Sequence, residues 1–95
     1  LEKAIPCGLV VNELVTNALK HAFPSGRQGS IRVGIRRERD GVLELEVADD
    51  GVGMSGASGR EGGIGRHLVA SLVAQLGGVE TVSSNGGVTV RVRFA

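Results

Sequence analysis

The stretch that decides the fold of this chain is Asn12–Phe23, whose sequence is NELVTNALKHAF. Successive residues of an α-helix turn by about 100° around its axis, so a helix here separates two kinds of side chain. One side carries the polar residues Glu13, Asn17, Lys20 and His21. The other side carries the apolar residues Val11, Leu14, Val15, Ala18 and Ala22. The sequence therefore predicts an amphipathic helix whose apolar side packs and whose polar side meets water or a ligand.

Length and composition limit the range of functions. The chain has 95 residues, enough for one small domain with a two-layer core. Its net charge is +1 and 22% of its residues are charged, which argues against a nucleic-acid surface or a polybasic membrane patch. It has two Phe and no Trp or Tyr, so platforms for stacking nucleic-acid bases are not expected. We expect a single domain over residues 1–95 that binds neither nucleic acid nor membrane directly.

The single cysteine and the hydropathy pattern indicate a cellular location. Cys7 has no second thiol to pair with, which suits a reducing cytoplasm, and we expect it to be a small apolar residue where the first helix starts. No apolar run approaches the roughly 20 residues that span a bilayer, and no signal sequence opens the chain. Because the sequence starts at Leu1, we expect a cytoplasmic fragment of a longer protein, which is itself soluble or membrane-anchored.

The first half of the chain predicts a helix followed by a hairpin. The helix is expected over Leu9–Phe23, after Pro6 and before Pro24. Apolar and charged residues then alternate on both sides of an Asp40-Gly41 turn, with arginines on the first strand and glutamates on the second. This pattern is typical of a hairpin with one face in water.

The second half predicts a loop, a helix and a second hairpin. Residues 51–65 are rich in glycine and serine and are expected to form a mobile loop. Apolar residues recur at helical spacing from Leu68 to Leu76, and Gly77-Gly78 ends this helix. The last hairpin is expected over 81–84 and 88–94, around Asn85-Gly86. The predicted fold class is α+β, a two-layer α/β sandwich with an antiparallel or mixed sheet and its helices on one face.

Two neighbouring aspartates close the second strand and differ in direction. Alternation places Asp49 on the inward side with Leu45 and Val47, whereas Asp50 points outward and is expected to be a solvated turn residue. An inward carboxylate needs hydrogen-bond donors, which come either from the turn that it caps or from a ligand. The glycines at 51 and 53 lack a Cβ and let a planar molecule approach. A heterocycle with an amino group would fit.

Gly62-Gly63-Ile64-Gly65 comes directly before the second predicted helix. The free N–H groups and positive dipole end of a helix N-terminus form a seat for phosphate oxygens. The alternative is a plain glycine-rich loop. The segment has neither the P-loop pattern nor the dinucleotide-binding G-x-G-x-x-G pattern, so a phosphate site here belongs to another class.

Three features follow one another along the chain: the polar side of the first helix, the inward Asp49 with the glycines after it, and the glycine-rich segment before the second helix. In this order they resemble the ATP-binding domain of bacterial sensor histidine kinases, in the superfamily that also contains DNA gyrase B, Hsp90 and MutL. The resemblance covers essentially the whole chain, and its first motif is Asn12–Phe23. It implies a Bergerat-type ATP-binding fold, with ATP and Mg²⁺ as cofactors.

At the phosphate end, the resemblance implies that Asn17 holds Mg²⁺ and that Lys20 and His21 approach the phosphates or the ribose. It implies that Glu13 orients the transferred phosphoryl group, which makes Glu13 and Lys20 the expected catalytic residues. Gly63 and Gly65 would form the hinge and phosphate contact of a lid.

At the purine end, the resemblance implies that Asp49 accepts a hydrogen bond from the adenine amino group. Gly51 and Gly53 would shape the pocket and Met54 would line the adenine, although a methionine there could also fill the core.

The chain departs from the family pattern at several positions. Arg66 replaces a common leucine after the lid glycines, where its side chain could instead reach a phosphate. Val88 replaces a threonine that supports the adenine-binding carboxylate in many members, and Thr89 points outward and cannot substitute. The phenylalanine-bearing lid motif of many kinases is absent between Gly53 and Gly63. In the family the phosphoacceptor histidine lies on a separate helical domain, so neither histidine of this chain is expected to accept the phosphoryl group.

The function that the resemblance implies is that of a histidine kinase catalytic domain. It would bind Mg-ATP and present the γ-phosphoryl group to a histidine on the helical dimerisation domain of the same protein, with a response regulator as an indirect partner. The alternatives are an anti-sigma-factor-type serine kinase and a non-catalytic nucleotide-binding or structural domain.

Overall fold

The computed structural model describes residues 2–23, 26, 28–52, 64–84 and 86–95, and these form two α-helices, one short 3₁₀ turn and four strands. The helices are α1 (Ala4–His21) and α2 (Ile64–Leu76). The strands are β1 (Ile31–Arg37), β2 (Leu43–Asp49), β3 (Val79–Ser84) and β4 (Val88–Phe94). The order of helix, hairpin, helix and hairpin agrees with the sequence prediction. The predicted mobile loop falls mostly on residues 53–63, which lie outside the described residues.

Helix α1 begins earlier than predicted, at Ala4 instead of Leu9. The prediction was wrong because it took Pro6 as a boundary. Pro6 instead lies in the first turn, where the N–H groups have no partner inside the helix, so the missing proline N–H costs nothing. The helix ends at His21, and the Ala22 N–H still donates to the Ala18 carbonyl oxygen at 2.9 Å.

The sheet has the strand order β1-β2-β4-β3, and all three neighbouring pairs are antiparallel. Strands β2 and β4 are central, with Val47 opposite both Val33 of β1 and Val90 of β4. Strands β2 and β3 run in the same direction with β4 between them, so α2 forms a crossover connection. The predicted α+β class is confirmed.

Both hairpin connections use left-handed backbone. Between β1 and β2, a short turn over Arg39–Gly41 places Asp40 at φ 60° and Gly41 at φ 75°, a conformation that aspartate and glycine tolerate. Between β3 and β4, Gly86 and Gly87 have φ values of 73° and 136°. Asn85 of the predicted turn lies outside the described residues, and β3 begins at Val79, two residues before the predicted Thr81.

The core lies between the two helices and one face of the sheet. Its largest fully buried side chains come from both layers: Val10 of α1, Val69 and Leu76 of α2, and Val92 of β4. The predicted inner face of β4 is confirmed, because Val88, Val90, Val92 and Phe94 are all buried. Val10, which is fully buried, was missing from the predicted apolar side of α1.

The other face of the sheet carries crossed ion pairs, as the predicted wet face requires. Arg36 of β1 donates to Glu44 of β2 at 2.8 Å, and Arg91 of β4 donates to Glu46 of β2 at 2.9 Å. An acidic column on β2 therefore lies between basic columns on its two neighbours, which is the favourable cross-strand arrangement. Glu44 is only 9% exposed, because the arginine side chains beside it cover it.

Among the described residues, neither helix is both long and apolar enough to cross a lipid bilayer.

Candidate functional site

Asp49 lies half-buried at the end of β2, on the inward side that strand alternation predicted. Its Oδ1 atom accepts a hydrogen bond from the Gly51 N–H at 2.9 Å and another from the Val88 N–H at 3.3 Å. The first bond is the turn cap that sequence reasoning considered. The second comes from the start of β4, so main-chain donors from two separate segments stabilise this inward carboxylate.

Val88 supports Asp49 through its main chain, which the sequence analysis did not anticipate. Valine at position 88 lacks the side-chain support that the resemblance associates with threonine. The structure supplies a main-chain N–H at that position instead, while the Val88 side chain is buried in the core. Thr89 pairs with Ala48 on the outer face, as predicted, and does not share the side of Asp49. The donor and acceptor are 39 residues apart, so only the pairing of β2 with β4 brings them together.

Asp50 points away from this position and has a structural contact of its own. Its Oδ1 atom accepts from the Ser30 N–H at 2.7 Å, and its N–H donates to the Ser30 carbonyl oxygen at 3.3 Å. Asp50 is exposed, as expected. It also joins the segment before β1 to the end of β2, a role that sequence reasoning missed.

Gly51 joins the segment after β2 to the end of α1. A Cβ atom on Gly51 would overlap the Ala22 carbonyl oxygen and lie 2.5 Å from the Ala22 Cβ, so only glycine fits. The next residue, Val52, donates its N–H to the same Ala22 oxygen at 3.0 Å. The segment that begins with Asp49 is therefore attached to the last turn of α1.

The polar side of α1 borders the buried core. Glu13, Asn17 and His21 are half-buried, whereas Lys20 is exposed. Lys20 and His21 lie in the last turn of the helix, where the negative end of the helix dipole favours cations. The carboxylate of Glu13 and the amide of Asn17 supply hard oxygen atoms, the ligand type that Mg²⁺ prefers. The attachment at Gly51 thus brings the end of this polar side and the Asp49 segment to one corner of the fold.

The lid residues are only partly described. Gly53, Met54 and Gly63 lie outside the described residues, so their predicted roles stay predictions. Gly65 is the second residue of α2. The prediction that Ile64 and Gly65 precede the helix was therefore wrong, since the helical main chain starts at Ile64. The side chain of Arg66 also lies outside the described part of the chain.

Comparison with known proteins gives a consistent result. Residues 2–95 match the family described as histidine kinase-, DNA gyrase B-, and HSP90-like ATPase. Blue-light-activated histidine kinase 2 of Erythrobacter litoralis is 34% identical over 92 residues, which are 95% of this chain and 27% of that protein. The anti-sigma F factor of Priestia megaterium is 40% identical over 45 residues, 47% of this chain and 31% of that protein. The chain thus spans less than a third of either relative.

A solved structure extends the likeness to three dimensions. The histidine kinase domain of the Erythrobacter litoralis EL346 blue-light activated histidine kinase superposes with a TM-score of 0.87 at 33% sequence identity. The similar region covers 98% of this chain and 47% of that one.

Proposed function

The chain belongs to the histidine kinase-, DNA gyrase B-, and HSP90-like ATPase family, and on this premise we propose that it is the catalytic ATP-binding module of a sensor histidine kinase. It binds Mg-ATP and presents the γ-phosphoryl group to a histidine on a helical dimerisation domain of the same protein. A response regulator is the indirect partner, and the module acts in the cytoplasm. The observation that carries the proposal is the inward Asp49. Two main-chain donors hold it, and Gly51 attaches its segment to the last turn of α1, which carries Lys20 and His21.

At the purine end, Asp49 accepts a hydrogen bond from the adenine amino group. A carboxylate offers about four acceptor positions, and its charge roughly doubles the strength of such a bond. The absence of a side chain at Gly51 lets the segment after β2 turn closely against α1. Gly53 and Met54 complete the adenine pocket in this proposal.

At the phosphate end, the donor set on α1 fits Mg²⁺. This ion keeps several waters and takes only one or two protein oxygens together with substrate phosphates. The Asn17 amide oxygen provides such a ligand from a half-buried position. Bound Mg²⁺ would neutralise charge on the phosphates.

The remaining polar residues of α1 position the phosphoryl group. Lys20 and His21, at the cation-favouring end of the helix, bind phosphate or ribose oxygens. Glu13, one turn before Asn17, orients the γ-phosphoryl group. Phosphoryl transfer asks the protein mainly for positioning and charge neutralisation, which these groups supply. Gly63 and Gly65 supply the hinge and the phosphate contact of the lid in this proposal, with Gly65 in the first turn of α2.

A serine kinase of the anti-sigma-factor type is the second candidate, and the identity to the anti-sigma F factor favours it. That match covers 47% of the chain, however, whereas the match to the blue-light kinase covers 95%. A non-catalytic nucleotide-binding domain is a third candidate. Transfer of phosphate to a supplied helical histidine domain separates the first candidate from the other two, because neither of them phosphorylates a histidine.

Titration calorimetry with ATP, with and without Mg²⁺, tests the binding site. We expect Asp49→Asn to weaken ATP binding by about 10- to 100-fold, which corresponds to the loss of one hydrogen bond to a charged group. Asp50→Asn is the matched control, because it makes the same chemical change one residue away on the outward side, and it should bind like the wild type. Equal affinities for the wild type and Asp49→Asn would contradict the assignment of Asp49 to the adenine.

The same experiment tests the proposed magnesium ligand. Asn17→Ala should mainly remove the dependence of ATP binding on Mg²⁺, because it deletes the amide oxygen that would bind the ion.

A further inference from the structure

Gly87 and Val88 connect the β3–β4 turn to the end of β2. We propose that Gly87 is a positioning residue that sets the base preference of the nucleotide site. By letting the turn lie directly against Asp49, it places the Val88 N–H where it fixes the orientation of the Asp49 carboxylate. A fixed carboxylate selects a purine with an amino group at position 6 over one with a carbonyl group there. This inference rests on the proposed function, because it concerns the residue that would bind adenine.

The steric requirement at Gly87 is strict. This buried residue has a φ of 136°, which side chains rarely tolerate. A Cβ atom here would overlap the Asp49 carbonyl oxygen and lie 2.9 Å from both the Asp49 carbonyl carbon and the Asp50 Cα. All three neighbours are main-chain atoms of the β2 end, which cannot rotate away as a side chain could. Any larger residue must therefore move the turn away from Asp49.

Moving the turn acts directly on the Asp49 carboxylate. The Val88 N–H lies 3.3 Å from Asp49 Oδ1, slightly beyond the usual range, so a further displacement of a few tenths of an ångström breaks this bond. The Gly51 N–H bond at 2.9 Å belongs to the other segment and stays in place. The terminal torsion of an aspartate is broad, so losing one of these two main-chain donors lets the carboxylate plane rotate more freely.

Orientation decides base selection at such a site. An oriented carboxylate accepts from the 6-amino group of adenine, whereas the 6-carbonyl oxygen of hypoxanthine meets it as a second acceptor, so that no hydrogen bond forms between them. A carboxylate that rotates distinguishes the two bases less well. Gly87→Ala should therefore lower the preference for ATP over ITP, and not only the affinity for ATP.

The chain offers a matched control one residue away. Gly86 also has a left-handed backbone, with φ 73°, but a Cβ atom added there meets nothing within 4 Å. Gly86→Ala therefore introduces backbone strain in the same turn without moving it against Asp49. The experiment measures dissociation constants for Mg-ATP and Mg-ITP with the wild type, Gly87→Ala and Gly86→Ala, and verifies by circular dichroism that each variant is folded.

We expect the wild type to prefer ATP over ITP by about ten-fold or more, the ratio that one charged hydrogen bond supplies. Gly87→Ala should bring the ratio towards one, whereas Gly86→Ala should keep the wild-type ratio. An unchanged ratio in Gly87→Ala, with the wild type preferring ATP, overturns the inference and leaves the proposed function standing. A wild type that binds neither nucleotide overturns the proposed function itself.

A second measurement does not depend on the folding of Gly87→Ala. In amide NMR spectra, the Val88 N–H resonance should differ between the wild type and Asp49→Asn, because the substitution removes the charge of its acceptor. The Gly86 amide, which has no described bond to Asp49, serves as the reference signal. Asp50→Asn should leave the Val88 resonance in place, because the Asp50 carboxylate accepts from Ser30 instead. A Val88 resonance that is the same in the wild type and in Asp49→Asn contradicts the hydrogen bond.

Discussion

At the scale of single residues, Gly51 lies where a side chain would separate the segment after β2 from the end of α1. A Cβ atom there would lie 2.7 Å from the Ala22 carbonyl carbon, in addition to overlapping the carbonyl oxygen. Gly51→Ala should therefore lower the free energy of unfolding by about 1–3 kcal/mol, the usual cost of overpacking. Urea denaturation measures this change.

The control for this substitution is Gly34→Ala. Gly34 lies exposed in β1, and a Cβ atom added there meets nothing within 4 Å. Alanine at position 34 should leave the free energy of unfolding unchanged or raise it slightly, since it restricts the unfolded chain. Equal losses in the two variants would show that Gly51 has no special contact with α1.

The direction of Asp49 and the turn that it caps could be predicted from local sequence, but the main-chain hydrogen bond from Val88 could not. Alternation along β2 is a local property, so the inward direction of Asp49 follows from two or three neighbouring apolar residues. The bond from Val88 depends on the register between β2 and β4, in which Ala48 lies opposite Thr89. No local pattern near Val88 carries that register, since Asn85-Gly86 indicated only a turn. The family resemblance did place position 88 beside the carboxylate, but through a side chain and not through the main-chain N–H.

At the scale of elements, Glu38 connects the β1–β2 hairpin to β4. It accepts from the Arg93 Nε atom at 2.9 Å and from the Arg36 Nη2 atom at 3.2 Å. The hydrogen bond from Arg93 is the main reason why the pKa of Glu38 is lowered from its ordinary value, and Arg36 adds to the effect. Because the folded-state pKa is the lower one, the ion pairs stabilise the fold above the ordinary glutamate pKa of about 4.3.

This arrangement predicts a pH dependence. The stabilisation by Glu38 should be lost as the pH falls from about 5 through the lowered pKa of the folded state. In Glu38→Gln the free energy of unfolding should be lower at pH 7 and should fall less on acidification, so that the two proteins converge at low pH. Urea denaturation at a series of pH values measures this, and added salt should reduce the difference, because the groups are solvent-accessible.

Glu2→Gln is the control for the pH series, since Glu2 is exposed before α1 and the structure describes no ion pair for it. Its unfolding should follow the wild-type pH curve. Parallel curves for the wild type and Glu38→Gln would show that the contacts with Arg93 and Arg36 contribute nothing to stability.

Element types were easier to predict than their ends. The helical periodicity around Leu14 and the alternation around Val90 identify α1 and β4, because burial on one side imposes the pattern. The predicted start of α1 was wrong because a proline stops a helix in its interior but is tolerated in the first turn, and periodicity does not distinguish these two positions near an end.

The predicted start of β3 was also wrong. Val79 lies on the outer face of an edge strand, where it is 66% exposed, so burial imposes no pattern that would mark this residue as part of the strand.

At the scale of the whole molecule, the fold class followed from the order of the patterns, but the extent of burial did not. Val33 and Ile35 share the core side of the sheet with Val47 and Leu45, and alternation predicted this. They are nevertheless 47% and 62% exposed, because β1 is an edge strand. Sequence alternation assigns a face, whereas coverage of that face depends on how far the helix layer extends.

The stability of the whole domain depends on packing of α2 against the sheet. Leu76, in the last turn of α2, is 1% exposed and belongs to the same cluster as Val92 and Phe94 of β4. Leu76→Ala should lower the free energy of unfolding by about 2–5 kcal/mol, through lost apolar contact and the cavity left behind. Since a domain of this size has only about 5–15 kcal/mol in total, a large part of its stability is at risk. Urea denaturation measures the loss.

Leu19→Ala is the control for this substitution. It makes the same chemical change at a position of α1 that is 64% exposed, so it should lower the free energy of unfolding by well under 1 kcal/mol. Equal losses in Leu76→Ala and Leu19→Ala would contradict the packing of α2 on the sheet.

The proposed nucleotide site should work independently of this core position. Mg-ATP at about 100 times its dissociation constant should stabilise the folded state by about 2.7 kcal/mol in the wild type and equally in Leu76→Ala, because Leu76→Ala leaves Asp49 unchanged. The same nucleotide concentration should stabilise Asp49→Asn much less. Loss of the ATP effect in Leu76→Ala would show that the core and the site are coupled.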